Sequence, residues 1–500
     1  MCRNVCASVL LALMLFFWVP SLASAQNIIG TQSNYSGSKA LMINPALIST
    51  SFLYFDAGLS FGVYSYNDLM YLKSRDFSKF LFSGYNSWSS YDWTMYNQYG
   101  VPHEFLYVRD TMPNSLTESI DLNILSMFIN IDSRQSLALS LNNRVYSSVT
   151  NLPWEFGRIA IEGLDSLYFD RYSSEDIRIA TMEWSELALG YSRTVYDRFL
   201  NKFDVGISLK GIIAYGGAVL NVNNLDYEIL SKDTSNVYAI DADIHYAAPL
   251  NYSSQFSSND VFMSDKLKNG LGFGVDFGFV YTKRKSVGMN RRSVSSCDMD
   301  PVLYRWRLGV SVTDIGFVKF KGNARSHHYF NDEPTLFIHS ALDDVNSIDD
   351  LSKTLSAIYF HGDSLASVVG DEFTMTLPSS LNMQLDFNIN DKFYVGAMWI
   401  QPFALSENSV RKAAQIVVSP RFENEYFDFI LPVTLYDYSK MFLGAEMRLW
   451  FFSIGTQNIL SFCGIGDFYG MDLYFSLKFN ILKGRCLGSG RDACWNSDFR

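Results

Sequence analysis

Between Gly270 and Tyr281 the chain reads GLGFGVDFGFVY, and its two alternating sets of positions have opposite chemistry. One set is Leu271, Phe273, Val275, Phe277, Phe279 and Tyr281; the other, as far as Gly278, is Gly270, Gly272, Gly274, Asp276 and Gly278. Successive side chains of a strand point to opposite faces, so the segment presents one wholly apolar face and one of glycine with a single carboxylate. A strand of a soluble sandwich carries polar, β-favouring residues on its outward face, and glycine there only weakens it. A transmembrane barrel accounts for both faces. The large residues meet lipid, and the small ones leave lumen space for a plug or water.

Other segments repeat the pattern. Phe55, Ala57, Leu59, Phe61 and Val63 alternate with Asp56, Gly58, Ser60 and Gly62, and Leu187, Leu189 and Tyr191 with Glu186, Ala188, Gly190 and Ser192. Tyr304, Trp306, Leu308, Val310 and Val312 alternate with Arg305, Arg307, Gly309, Ser311 and Thr313, which makes Arg305 and Arg307 lumen-facing candidates. Leu381, Met383, Leu385 and Phe387 oppose Asn382, Gln384 and Asp386; Leu473, Phe475, Leu477 and Phe479 oppose Tyr474, Ser476, Lys478 and Asn480. A basic side chain facing lipid costs roughly 2–4 kcal/mol at mid-bilayer, so confinement of charge to one parity is informative. The expected fold is all-β, an antiparallel transmembrane β-barrel of about 14 strands. The strands are expected to begin near residues 52, 119, 135, 182, 203, 270, 302, 377, 393, 411, 426, 441, 451 and 470, with the weakest alternation near 411, 426 and 451. Short turns at 132–134 and 390–392 then fall on the periplasmic side. Long connections at 66–116, 147–181, 217–269 and 321–376 fall outside.

The N-terminus has the layout of an export signal. Arg3 precedes an apolar run from Val9 to Val19, Pro20 breaks it, and Ala23-Ser24-Ala25 offers a cleavage site. Residues 1–25 are therefore expected to be removed, 26–51 to form an N-terminal plug segment, 52–481 the barrel with its extracellular loops, and 482–500 a periplasmic tail. The expected address is the outer membrane of a Gram-negative cell. Mean hydropathy is +0.02, too polar for a bundle of membrane helices, while aromatic residues reach 16%. A formal net charge of −11 argues against a nucleic-acid partner.

Leu41-Met42-Ile43-Asn44-Pro45-Ala46 resembles the Asn-Pro-Ala segment near the mature N-terminus of the long-chain fatty-acid transporter superfamily. Asp314-Ile315-Gly316, Leu377-Pro378-Ser379 and Gly470-Met471-Asp472-Leu473-Tyr474 are similar to an uncharacterised branch of such barrels, a broad group that includes the type IX secretion shuttle. The resemblance spans nearly the whole mature chain. It implies a fourteen-stranded barrel with Asn44, Pro45 and Ala46 in a plug inside it.

Signatures of catalysis are missing. The sequence contains no Gly-x-Ser-x-Gly elbow and no His-Glu-x-x-His pair, and His327-His328 on a strand would point to opposite faces. No enzyme activity, metal or cofactor is expected. Cys486 and Cys494 enclose seven residues in the tail, either bridged in an oxidising periplasm or free. The 66–116 connection is dense in aromatic residues, Trp88 and Trp93 among them, and is expected to fold over the mouth, bind a ligand or touch lipid. Residues 346–358 place Ile348, Leu351, Leu355 and Ile358 on one helical face behind a Ser347 cap, the pattern of a short lid helix. Lys283-Arg284-Lys285 suits either anionic headgroups or a solvated turn. Besides membrane lipid, the partner is then a small hydrophobic or amphipathic molecule, or surface and periplasmic proteins for which the barrel is an anchor.

Overall fold

A computed structural model describes residues 29–73, 105–108, 114–162, 167–247, 269–285, 303–321, 323–343, 345 and 347–482. The leader, Trp88, Trp93, Cys486 and Cys494 lie outside the described residues. Fourteen staves close into one antiparallel barrel. They are β1 (Leu53–Asn67), β2 (Asn114–Asn130), β3 (Gln135–Leu152), β4 (Arg171–Arg198), β5 (Asn201–Ile229), β6 (Gly270–Arg284) and β7 (Tyr304–Phe320). The second half comprises β8 (Ser380–Asn388), β9 (Phe393–Pro402), β10 (Gln415–Glu423), β11 (Phe427–Ile430 and Val433–Tyr436), β12 (Lys440–Leu443 and Ala445–Leu449), β13 (Phe452–Thr456) and β14 (Gly470–Leu482). Each pairs with its sequence neighbour, and β1 pairs with β14 from Leu53↔Leu482 to Tyr66↔Gly470, so the ring has no open edge.

The outer surface is apolar where the parity predicts it. Leu187, Leu189, Leu209, Phe277, Phe279, Met383, Leu477 and Phe479 are exposed, while Glu186, Asp276, Asp386 and Lys478 on the opposite parity are buried. From Glu183 to Val195 the strand covers roughly 40 Å, or roughly 28 Å of membrane height at a tilt of about 45°. Phe199, Phe393, Tyr426, Trp450 and Phe451 are exposed at the short-turn rim and form half of the aromatic girdle expected where lipid meets water.

Two sequence expectations need correction. The connections at 147–181 and 217–269 are not loops throughout. β4 runs for 28 residues and β5 for 29, far longer than a bilayer requires, and they continue outward with Thr234–Ala247 and Ala324–Asn331 as a raised sheet. A strand in water still alternates, but with polar residues where lipid no longer selects apolar ones, so it reads as loop. The strand placed near 411 begins only at Gln415, and the residues before it turn into the lumen.

Helix α1 (Trp154–Glu162) closes the β3–β4 connection, with Trp154 stacked on Tyr107. Helix α2 (Ile348–Tyr359) forms where the apolar periodicity predicts it. Ser347 caps it by accepting from the Asp350 N–H at 3.0 Å, and Ile348, Leu355 and Ile358 pack against Tyr246 and Tyr329 of the raised sheet. His327 and His328 do point apart. His327 is buried beside the Ser367 hydroxyl at 2.9 Å, and half-exposed His328 meets Asp243 at 2.9 Å. Lys283, Arg284 and Lys285 have protein partners: Asn201 at 2.8 Å, Asp197 at 2.7 Å and Asp391 at 2.8 Å.

Candidate functional site in the barrel lumen

The lumen is filled. Three 3-10 turns, Ile29–Gln32, Gly37–Met42 and Pro45–Thr50, lie inside the barrel ahead of β1 with almost every residue buried. Their polar groups bond outward to the wall. The Asn34 amide donates to Glu423 at 2.7 Å, the Ser38 N–H to Asp56 at 2.9 Å, and Ser33 to Asp428 at 3.1 Å. Arg307 donates to the Gln32 carbonyl at 3.0 Å and the Thr50 hydroxyl at 2.9 Å.

Asn44, Pro45 and Ala46 sit at the centre of this segment. The Asn44 side chain accepts from the Ala46 N–H at 2.9 Å, which starts the third turn, and Pro45 sets its first helical position. Its amide donates to the Phe279 carbonyl on β6 at 3.2 Å and to Gln384 on β8 at 3.0 Å. Glycine on the wall permits this approach. A Cβ at Gly278 would lie 2.0 Å from Asn44 Oδ1, and one at Gly206 would lie 2.4 Å from the Ala46 nitrogen.

The other candidate residues divide. Gly270, Gly274, Asp276 and Gly278 are buried and face inward, Gly272 is half-buried against Val318, and Arg307 is buried with Asp386 at 3.1 Å. Arg305 is exposed, contrary to the parity reading. A bulge between Tyr304 and Trp306 inserts one residue against β6 and reverses the parity, turning Arg305 out and Tyr304 in, where its hydroxyl donates to Asp386 at 2.5 Å.

A second bulge on β7, between Val312 and Ile315, builds the central feature that parity reasoning missed. Asp314 takes a left-handed conformation there, φ 58°, which turns its carboxylate into the lumen beside Thr313. Its N–H donates to Asp276 Oδ1 at 2.6 Å. Arg144 reaches the carboxylate at 3.1 Å, Lys210 at 2.6 Å and Lys412 at 2.6 Å. Arg144 also pairs with Asp121 at 2.8 Å and Glu186 at 3.3 Å, and Lys210 with Asp276 at 2.8 Å.

Lys412 comes from residues 403–414, a connection between β9 and β10 that dips into the barrel as a strap. Asn408 accepts from the Asn221 amide on β5 at 2.8 Å, and its carbonyl from the Thr376 N–H at 2.9 Å. The Arg411 N–H donates to Ser148 on β3 at 3.1 Å, and Ala413 packs with Tyr64 and Tyr66 of β1. These strands lie around the far wall from β10, so the strap spans the lumen. Outward of the ion cluster the lining turns apolar: Tyr146, Met182, Trp184, Ile212, Phe320 and Met375 form one layer with strap residue Val410. Among the described residues, a void beside Ser33 and Lys39 and another beside Leu41 and Lys210 are each about 20 Å³, room for about one water. No metal-binding group occurs among the described residues.

A closed antiparallel ring with an apolar exterior, a charged interior and a chain segment packed within it defines a plugged transmembrane β-barrel. The chain belongs to a family of unknown function, DUF5723, whose model matches residues 45–457. Among solved structures it is similar to the CymD monoaromatic hydrocarbon channel, at 9% identity over 92% of this chain and 97% of that one, with a TM-score of 0.40. The Pseudomonas putida toluene transporter TodX is matched at 10% identity over 92% and 96%, TM-score 0.37. A Pseudomonas aeruginosa FadL homologue is matched at 10% identity over 92% and 98%, TM-score 0.28. No curated protein sequence matches the chain.

Proposed function

We propose that this chain is an outer-membrane conduit, exported through its cleaved leader, that admits a small hydrophobic or amphipathic ligand and performs no chemistry on it. One observation carries the reading: an apolar layer lines the outer lumen, covered by a strap and closed below by a plug. Burying apolar side chains inside a barrel that already has lipid outside serves a ligand of like polarity. The plug and strap are held to the wall by hydrogen bonds and ion pairs together with apolar contacts, Leu41, Leu47 and Ile48 against Phe128 and Val280 and Ile43 against Met398 and Ile400. Water can take over the polar contacts when the segments move, so those bonds do not by themselves bar opening. Deleting residues 26–48 should raise conductance and small-solute flux while leaving assembly intact. Unchanged flux through a folded deletion variant would count against it.

A second reading, a surface anchor, draws on the raised sheet. Phe330, Leu336, Ile338, Leu365 and Val369 are exposed there. Exposed apolar side chains on a sheet raised above the membrane suit a protein partner. Stoichiometric co-purification of a partner, with no solute flux in any variant, would favour it.

A further inference from the structure

The strap carries a primary ammonium on a flexible aliphatic stem into the middle of the lumen, and its surroundings are those of a headgroup site. Lys412 is buried, its ammonium on Asp314 Oδ2 at 2.6 Å. Four wall strands show the same change of chemistry at this level. Arg144 is followed outward by Tyr146, Glu186 by Trp184 and Met182, Lys210 by Ile212, and Asp314 by Val318 and Phe320. A packed apolar layer therefore ends on a charged floor.

The charges on that floor do not balance. The cations are Arg144, Lys210 and Lys412, and the carboxylates are Asp121, Glu186, Asp276 and Asp314. Withdrawing the strap removes Lys412 and leaves Arg144 and Lys210 against all four acids. Asp276 is fully buried, and its Oδ2 already lacks a hydrogen-bond partner. An uncompensated buried charge is costly unless it takes up a proton, so the open state favours a replacement cation on this floor.

We propose that the position held by Lys412 is the headgroup subsite of the ligand, and that the ligand is an amphipathic primary ammonium compound. Its ammonium takes the place of Lys412 on Asp314, and its apolar body lies among Trp184, Met182, Phe320 and Met375. Lys412 is then a built-in stand-in that the ligand displaces. This inference rests on the conduit reading and narrows its ligand class.

The test uses K412M, which keeps an unbranched stem without the charge, in the full-length barrel with faster migration before boiling as the control for folding. Hexylammonium, hexanoate, hexanol and methylammonium are titrated by calorimetry. Hexylammonium should bind at least about tenfold more tightly than the other three, one decade being about 1.4 kcal/mol. The preference should vanish in K412M/D314N. Hexanoate or hexanol binding as tightly as hexylammonium would overturn the ammonium assignment and leave the conduit reading standing. Equal binding of methylammonium would reduce the site to one for simple cations and overturn the amphipathic part. If no probe binds and no variant passes solute, the conduit reading falls too. If K412M does not fold, wild-type channels in planar bilayers serve instead. Hexylammonium should raise open probability at least about tenfold more than hexanoate, and equal responses would overturn the proposal.

Discussion

Replacing Gly278 with valine tests whether the N-terminal segment closes the lumen. Valine suits a strand, and the neighbouring positions of β6 already tolerate large residues, so the barrel wall should form. The plug cannot keep its seat, because a Cβ at this position would stand 2.0 Å from Asn44 Oδ1 and 3.0 Å from Pro45 Cδ. Displacing Asn44 breaks its bonds to the Phe279 carbonyl and to Gln384. Each is worth about 0.5–1.5 kcal/mol net, and each buried partner left bare costs about 1–3 kcal/mol. A total of roughly 2–5 kcal/mol shifts the closed–open equilibrium about thirtyfold or more. Single-channel recording in planar bilayers reads this as open probability, with migration before and after boiling as the control for folding. A folded G278V barrel with wild-type conductance would mean that the N-terminal segment does not close the lumen, since the clash cannot be relieved without moving either the wall or the plug.

Three further outcomes follow from the same geometry. D314N leaves Arg144, Lys210 and Lys412 facing a neutral amide, and breaking buried pairs of this kind costs about 3–5 kcal/mol, so its unfolding temperature in detergent should fall clearly below that of wild type. Ser347→Ala removes the cap of α2 and should cost about 1 kcal/mol, read as faster amide exchange in the first turn of that helix with the barrel unaffected. Asp349, on the same helix outside the membrane, loses some of its charge preference to burial. The Lys353 ammonium and the Tyr246 hydroxyl outweigh that and hold its carboxyl below the usual range. A depressed carboxyl contributes stability above its unfolded value of about 3.9 and loses it as pH falls through the folded value, so docking of α2 should weaken only below about pH 4.

The barrel is legible in the sequence because lipid and lumen select opposite residues on alternate positions. Phe277 and Phe279 flank Gly278, and Met383 and Leu385 flank Gln384, so register and face follow from composition alone. The bulges are not legible. Arg305 has the same parity as Arg307, and only the inserted residue seen in the β6–β7 pairing turns it outward. The sequence does show Asp314 after a run of inward positions, but an aspartate in a left-handed turn looks like any turn residue until the cations around it are placed. Arg144, Glu186 and Lys210 stand on inward parities, which is the signal that could have found the cluster. The strap was hidden for a different reason. Residues 403–410 pass for a solvated connection and 411–414 for the start of a strand, and only contacts with β1, β3, β5 and β7 reveal that they cross the lumen. The plug has no periodicity at all. Its short 3-10 turns are shaped by the wall they bond to, so Asn44-Pro45-Ala46 could be picked out only through a family resemblance.

If the strap is a movable closure of a ligand path, a reversible lock on it controls uptake. With native cysteines replaced by serine, Ser148→Cys and Arg411→Cys join the strap to β3, where the Arg411 N–H now meets the Ser148 hydroxyl at 3.1 Å. Uptake of a small apolar fluorescent solute into proteoliposomes is then followed before and after a reducing agent is added. The parent barrel should take up the solute, the oxidised form should not, and reduction should restore uptake. Equal uptake by the locked and reduced forms, or no uptake by the parent, would contradict it.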